Sequence, residues 1–213
     1  MEKDIKYIEE LLFQKSSPID ALRLYASEHS VPIMDKISTE FVKQMIRVKS
    51  VKNILEIGTA IGYSSMHFAS CDSDIRIWTI ERNEEMYQLA SKNIKDYNFE
   101  TQINVIYSDA KEAKPLLPNQ QKFDLIFIDA AKAQSQKFFE LYEDLLSDDG
   151  IIITDNVLYH GFVSDIDVVR TRNVRQMVKK VQKYNEWLMQ HKDYETTFIN
   201  IGDGMAISKK EHN

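Results

Sequence analysis

Glu56, Glu81, Asp109, Asp129 and Asp155 each stand at or just past the end of a short apolar run. One acid in such a place is often a helix N-cap, and Asp109 before Ala110 could be only that. Five together imply one crevice rich in negative charge. Between the first two, Gly58 and Gly62 bracket Thr59-Ala60-Ile61 where a strand-like run gives way to a helix-like one, a spacing that permits a tight turn and close backbone approach to a ligand. A dinucleotide loop would read G-x-G-x-x-G. Here the middle glycine is missing, and phosphate would meet acids on every side. A cationic cofactor carrying a ribose suits the crevice better. Glu81 is placed to accept hydrogen bonds from both ribose hydroxyls, as acids at this position do. S-adenosylmethionine, with a sulfonium, an ammonium and no phosphate, meets these demands. Taken alone, Gly58 and Gly62 are equally compatible with a purely structural turn.

Asp129, Asp155 and Asn156 make a second group. They end runs expected to be neighbouring strands, and all three offer hard oxygen ligands. Mg²⁺, or another divalent cation of similar hardness, is commonly held by one or two carboxylates plus substrate and water. Two acids converging without a Lys or Arg partner repel one another, which argues for a bound cation. The alternative is that Asp155-Asn156 simply opens a loop. Lys132, three residues past Asp129, could serve as a general base near the metal or as a salt-bridge partner. Spacing leaves both open.

Such side chains need a scaffold, and apolar periodicity predicts one. From residue 52 onward, short apolar runs at 53–57, 75–80, 103–107, 125–129 and 151–155 alternate with amphipathic stretches starting near Gly62, Asn83, Ala110 and Gln134. Met86, Leu89, Ala90, Ile94 and Tyr97 fall on one helical face. Runs apolar on both faces, spaced by helices, mean a parallel sheet with right-handed crossovers. A long helix at 171–190 follows, then strands at 194–200 and 205–208 joined through Ile201-Gly202-Asp203-Gly204, so the last strand should run antiparallel. The expected fold is α/β, a doubly wound seven-stranded, mostly parallel sheet. Residues 1–50 read as a helical extension, with helices at 4–14, from Ser17-Pro18 onward, and at 38–48; residues 51–213 read as the main domain.

Composition narrows the classes further. The 213 residues are 43% hydrophobic and 28% charged, as in ordinary globular proteins. No apolar run approaches the ~20 residues that span a bilayer, the N-terminus is charged in both signs, and Cys71 is the single cysteine, which excludes a disulfide framework. A cytoplasmic protein without a membrane partner is expected. The net charge of −6 excludes a generally basic nucleic-acid binder. Two local basic patches remain. Lys43, Arg47, Lys49 and Lys52 lie together without an acid, and segment 165–184 sets Arg170, Arg172, Arg175, Lys179, Lys180 and Lys183 against Asp165 and Asp167.

At these residues the sequence resembles class I S-adenosylmethionine-dependent methyltransferases, and within them the metal-dependent O-methyltransferases of catechol and caffeoyl-CoA type. The resemblance rests on the run from Ile54 to Ser64, on Thr79-Ile80-Glu81-Arg82, Asp109-Ala110, Phe127-Ile128-Asp129-Ala130-Ala131-Lys132 and Thr154-Asp155-Asn156-Val157-Leu158. Val31-Pro32-Ile33-Met34-Asp35-Lys36, the stretch around Tyr184, Asn185 and Trp187, and Gly202-Asp203-Gly204-Met205 are similar to the bacterial tRNA 5-hydroxyuridine methyltransferases, which make 5-methoxyuridine at the wobble position. The resemblance implies that Met34, Glu56, Gly58, Tyr63, Ser64, Glu81, Asp109, Ala110 and Asp129 surround the cofactor. It further implies that Asp129, Asp155 and Asn156 hold the metal, that Lys132 and Asp129 act at the acceptor oxygen, and that the protein is a homodimer. Many members carry Asp-Ala-Asp-Lys with a tyrosine soon after. This chain has Asp129-Ala130-Ala131-Lys132-Ala133-Gln134, which weakens the case for a small phenolic or CoA substrate.

Family chemistry and tRNA have a physical link. Catechols are methylated where two adjacent oxygens chelate a cation, and 5-hydroxyuridine offers such a pair at C5 and C4. An anticodon loop is unpaired, so its base can be splayed into a pocket. Segment 170–183 would then neutralise phosphates, with patch 43–52 a possible addition; the alternative is an ordinary solvated helix face. Tyr159 and Phe162 are candidate stacking residues, and His160 either lines the acceptor pocket or lies in a solvent loop. A small catechol-like or caffeoyl-CoA-like phenol is the competing acceptor. A binding protein without turnover is the non-enzymatic alternative, against which the intact Asp129, Lys132, Asp155 and Asn156 argue.

Overall fold

The central strands are apolar on both faces, and the structure shows why. In this computed structural model, which describes residues 2–14 and 16–211, β1 (Asn53–Ile57) lies inside a sheet covered on both sides. Its Ile54 joins one core with Met66, Phe68 and Phe127. Its Leu55 and Ile57 join another with Ile126, Phe138 and Tyr142. Successive side chains of a strand point to opposite faces, so two covered faces demand an uninterrupted apolar run. Met1, Lys15, His212 and Asn213, which fall within the two expected regions, lie outside the described residues.

With β2 (Arg76–Glu81), β3 (Ile103–Tyr107), β4 (Phe123–Ile128), β5 (Leu146–Asp155), β6 (Tyr194–Ile199) and β7 (Met205–Lys210), the strand order is β3-β2-β1-β4-β5-β7-β6. The first five strands are parallel, and β7 runs antiparallel to both β5 and β6. The expected seven-stranded doubly wound sheet is therefore present. β5 begins earlier than its apolar run suggests, because Leu146 pairs with Phe123 ahead of a register shift between Phe123 and Leu125.

Helices α1 (Glu2–Phe13), α2 (Leu22–Glu28), α3 (Lys36–Val48), α4 (Tyr63–Ala69), α5 (Glu84–Asp96), α6 (Ser135–Tyr142) and α7 (Arg172–Met189) complete the layers. The helix expected from Ser17-Pro18 opens as a 3-10 turn, Pro18–Ala21, that runs into α2. The helix expected from Ala110 does not form. After Asp109 the chain makes a turn and then only a 3-10 helix, Lys114–Leu116. Pro115 and Pro118 lack the amide hydrogens that a continuing helix would use there. Two of the three N-terminal helices are not peripheral: Leu22 and Ala26 of α2 and Val42 and Ile46 of α3, with Ile19 of the preceding turn, share the core of Ile54 and Phe127, whereas Ile5, Ile8 and Leu11 of α1 stay exposed.

Strand order reverses between β1 and its two neighbours β2 and β4. In open α/β sheets this opens a crevice at the carboxyl ends of the strands. No helix among the described residues is long and apolar enough to cross a membrane.

Candidate active site

A cavity of about 1010 Å³ occupies that crevice. Its floor is the turn after β1. Gly58 has φ +105°, and a Cβ there would sit 2.0 Å from the carbonyl oxygen of Asp129, so only glycine lets the backbones of the β1 and β4 ends touch. Gly62, with φ +80°, precedes α4 in a left-handed conformation that other residues adopt reluctantly. The Gly58 amide donates to Ile80 O (3.1 Å) and the Asp129 amide to Ile57 O (2.9 Å), locking three strand ends together.

Of the residues expected around the cofactor, Met34, Gly58, Tyr63, Ser64, Glu81, Asp109, Ala110 and Asp129 all line this one cavity. Glu81 Oε2 accepts from the Ala60 amide (2.9 Å) and Oε1 from the Asn83 amide (2.8 Å). A carboxylate has about four acceptor positions, which leaves room for a ribose diol. Asp109 accepts the Lys111 amide at 2.9 Å and pairs with its ammonium, and these contacts hold its carboxyl below the usual range. It caps a turn, not a helix. Ala110 is fixed from behind by the Tyr142 hydroxyl, which donates to its carbonyl at 2.5 Å.

Glu56 departs from expectation. It is fully buried beneath the glycine turn and is not part of the cavity wall. Its oxygens accept from the hydroxyls of Ser64 (2.5 Å), Ser65 and Thr79 (2.6 Å). Burial outweighs those hydrogen bonds and pushes its carboxyl up to about 7. Glu56 thus braces the wall from behind, with Ser64 between it and the cavity.

Asp129 and Asp155 are brought side by side by register: Ile128 of β4 pairs with Thr154 of β5, and each acid is the next residue. Burial raises the Asp129 carboxyl, countered by the charge of Lys132. Asp155 is pushed up to about 8, first by burial and then by the charge of Asp129. Asn156 follows in a left-handed conformation, φ +63°, and its amide donates to Asp155 Oδ1 at 2.7 Å. Among the described residues no three His, Cys, Asp or Glu side chains form a metal-binding group; the set is two carboxylates and one amide. Two like charges forced together, with hard oxygens facing a roomy cavity, fit a divalent cation that keeps water or substrate ligands.

Lys132 opens a short 3-10 helix (Lys132–Gln134) on the cavity wall, its Nζ 5.9 Å from the centroid of the Tyr159 ring. His160 also lines the cavity. Its Nδ1 lies 2.9 Å from Asp203 Oδ2, and its amide donates to Asp203 Oδ1 at 2.9 Å. Sequence reasoning did not anticipate Asp203, 43 residues away; its place in the turn before β7 was the available signal. Tyr159 and Phe162 pack against each other and against His160, with centroids 5.1–6.3 Å apart.

The two basic patches have different fates. Lys43 is buried and paired with Glu40 (2.6 Å), and Lys52 is paired with Asp72 (2.7 Å) at the end of β1 opposite the crevice, which leaves Arg47, exposed, and Lys49, half-buried, as the cations that segment 43–52 offers to a partner. On α7, Arg172, Lys179, Lys180 and Lys183 are exposed, as is Arg170 just before it. Arg175 is partly committed: its Nε donates to Val169 O (2.9 Å), and Nη2 reaches Asp167. Together with Val169 and Gln176, four of these cations line a groove of about 500 Å³. Farther along α7, Gln182 and Asn185 donate to Val163 O (2.9 Å) and Val157 O (2.8 Å), joining the helix to the loop after Asp155.

Comparison with known proteins agrees with this architecture. The protein family described as "O-methyltransferase" matches residues 10–211. An Arabidopsis thaliana protein named "Putative caffeoyl-CoA O-methyltransferase" is 31% identical over 186 residues, spanning 86% of this chain and 79% of its own. The catechol O-methyltransferase of Niastella koreensis is 26% identical over 212 residues, spanning 95% of this chain and 94% of its own. The crystal structure of a Staphylococcus aureus protein, described as a "putative caffeoyl-CoA O-methyltransferase", superposes with a TM-score of 0.93 at 57% identity, covering 97% of this chain and 98% of that one. With the family spanning α2, α3 and the whole sheet, the chain belongs to the S-adenosylmethionine-dependent O-methyltransferases of caffeoyl-CoA and catechol type.

Proposed function

We propose that this chain transfers the methyl group of S-adenosylmethionine to the 5-oxygen of 5-hydroxyuridine at the tRNA wobble position. The donor would lie between the Gly58–Gly62 turn and Glu81, its ribose diol on Glu81 and its cationic groups among the acids of the crevice. The acceptor base would enter past Tyr159 and Phe162, with its C4 and C5 oxygens toward Asp129, Asp155 and Asn156. A divalent cation held there would supply charge stabilisation for the acceptor oxygens. In the transfer the carbon–sulfur bond breaks with its electrons left on sulfur, the oxygen–carbon bond forms, and the hydroxyl proton leaves to water, with the Lys132 ammonium beside the acceptor oxygen as an electrostatic partner. The protein contributes alignment and electrostatics.

The observation that carries the tRNA reading is the exposed cationic face of α7, whose far half is hydrogen-bonded to the loop following Asp155. A free catechol has no use for such a face, whereas an anticodon stem presents a run of phosphates to it and a CoA ester only a few. The second reading, a catechol-like or caffeoyl-CoA-like phenol, is favoured by the names of the relatives. Incubation with labelled donor, Mg²⁺, and either tRNA bearing unmethylated 5-hydroxyuridine or a catechol separates the two. Label in the tRNA is expected. Label in catechol alone would overturn the tRNA reading.

A further inference from the structure

The donor end of the cavity has two walls from distant parts of the chain. One is Met34, in the segment without helix or strand that links α2 to α3; the other is Tyr63, the first residue of α4 after the glycine turn. Between them stands Arg23 of α2, half-buried. Its Nη1 donates to the carbonyl of Met34 and to the hydroxyl of Tyr63, each at 3.1 Å. The Tyr63 hydroxyl passes its own hydrogen to Asp20 Oδ1 at 3.1 Å. The other oxygen of Asp20 accepts from the Ser17 amide (2.9 Å) and pairs with Lys36, the first residue of α3.

The linking segment is anchored at its ends, by the Val31 amide on Ala26 O (2.9 Å) and by Asp35 capping α3 through the Ser38 amide (2.9 Å). Arg23 adds a third tie at Met34, one residue before that cap, and it is the one that reaches across to α4. Burial pushes the Tyr63 hydroxyl up to about 12, so it stays protonated and can accept from Arg23 while donating to Asp20. The guanidinium lies 5.6 Å from the centroid of the Tyr63 ring, which adds a cation–π contact to the same strut.

We propose that Arg23 is a positioning residue for donor binding: it clamps the Met34 wall to the Tyr63 wall and thereby sets the affinity for S-adenosylmethionine without touching the reacting atoms. The proposal rests on the reading that the donor occupies the Gly58–Glu81 end of the cavity. A preformed slot spares the donor the cost of ordering the linking segment. Loss of the clamp therefore acts on binding and leaves the chemical step alone.

The test measures S-adenosylhomocysteine affinity by calorimetry, needing no acceptor, and then the kinetics at saturating acceptor. Arg23→Ala should weaken S-adenosylhomocysteine about tenfold and raise KM for the donor similarly, with kcat within about twofold of wild type. Arg23→Lys, which keeps a cationic donor on the same side, should recover most of the affinity. Ile46→Val, a cavity-forming change in the core beneath α3, should lower the melting temperature without moving either constant. Unchanged affinity in Arg23→Ala overturns the proposal, as does a fall in kcat at constant KM, or a loss that Ile46→Val reproduces. A wild-type chain that binds no S-adenosylhomocysteine overturns the donor site and the clamp with it, so the two failures are distinguishable.

Discussion

Glu56 shows how one residue can serve the site without entering it. Its carboxyl is raised from 4.5 to about 7 by burial. Between those two values the native protein keeps a proton that the unfolded chain gives up. Raising the pH through this window therefore lowers stability, by an amount on the order of 3 kcal/mol in total. Glu56→Gln removes that titration. In urea unfolding, variant-minus-wild-type stability should climb from pH 4.5 to 7 and then level; a constant offset would contradict the assignment. His67, buried and pulled down to about 4, slopes the other way but contributes equally to both proteins and cancels.

Asp155 gives a second prediction at this scale. It is raised by burial and by the neighbouring charge of Asp129, so Asp155→Asn should relieve repulsion and stabilise the metal-free protein above pH 8. The same change should abolish the rise in melting temperature on adding Mg²⁺ and abolish methyl transfer, while S-adenosylhomocysteine still binds. Turnover that persists with EDTA present would remove the metal from the reading. These acids were legible in the sequence because each closes an apolar run. The depth of Glu56 was not, since it depends on hydroxyls from α4 and β2 closing over it.

Among the elements, α7 makes the sharpest claim. Arg172, Arg175, Gln176, Lys179 and Lys183 recur at helical spacing opposite the buried Val178, Val181, Tyr184 and Leu188. Replacing Arg170, Arg172 and Lys179 with Ala should weaken tRNA binding and reduce the slope of log affinity against log salt by roughly 3, with donor affinity unchanged. Arg175 is left intact because it clasps Val169 and Asp167. Filter binding across a salt series decides; an unaltered slope would remove α7 as the docking face. The stripe could be read in advance because amphipathic periodicity is local. The stretch after Ala110 misled for the same reason: Ala110, Ala113 and Leu117 keep an apolar rhythm, yet two prolines forbid the helix.

In the molecule as a whole, α2, α3 and the sheet share one core. Val42 and Ile46 of α3 lie in the same core as Ile54 and Phe127. Denaturation followed by far-ultraviolet circular dichroism and by the fluorescence of Trp78 and Trp187 should therefore give coincident transitions; an earlier helical step would show that the extension unfolds alone. The succession of strands and helices and the gathering of acids at the strand ends followed from sequence, since both arise from alternation along the chain, whereas the spatial order of the strands came only with the fold. The ties of Asp20 to Tyr63 and of Asp203 to His160 did not, because they join positions 43 residues apart through folding alone.

The contact between Gly58 and the Asp129 carbonyl has a consequence for how such a catalyst can change. It casts the main chain under the proposed donor and acceptor places as one piece, so the bases from which Glu81, Asp129 and Asp155 reach out are held at a fixed separation. New acceptors can then be accommodated by remodelling the 156–164 loop and the outer surface of α7, while the gauge of the transfer stays constant.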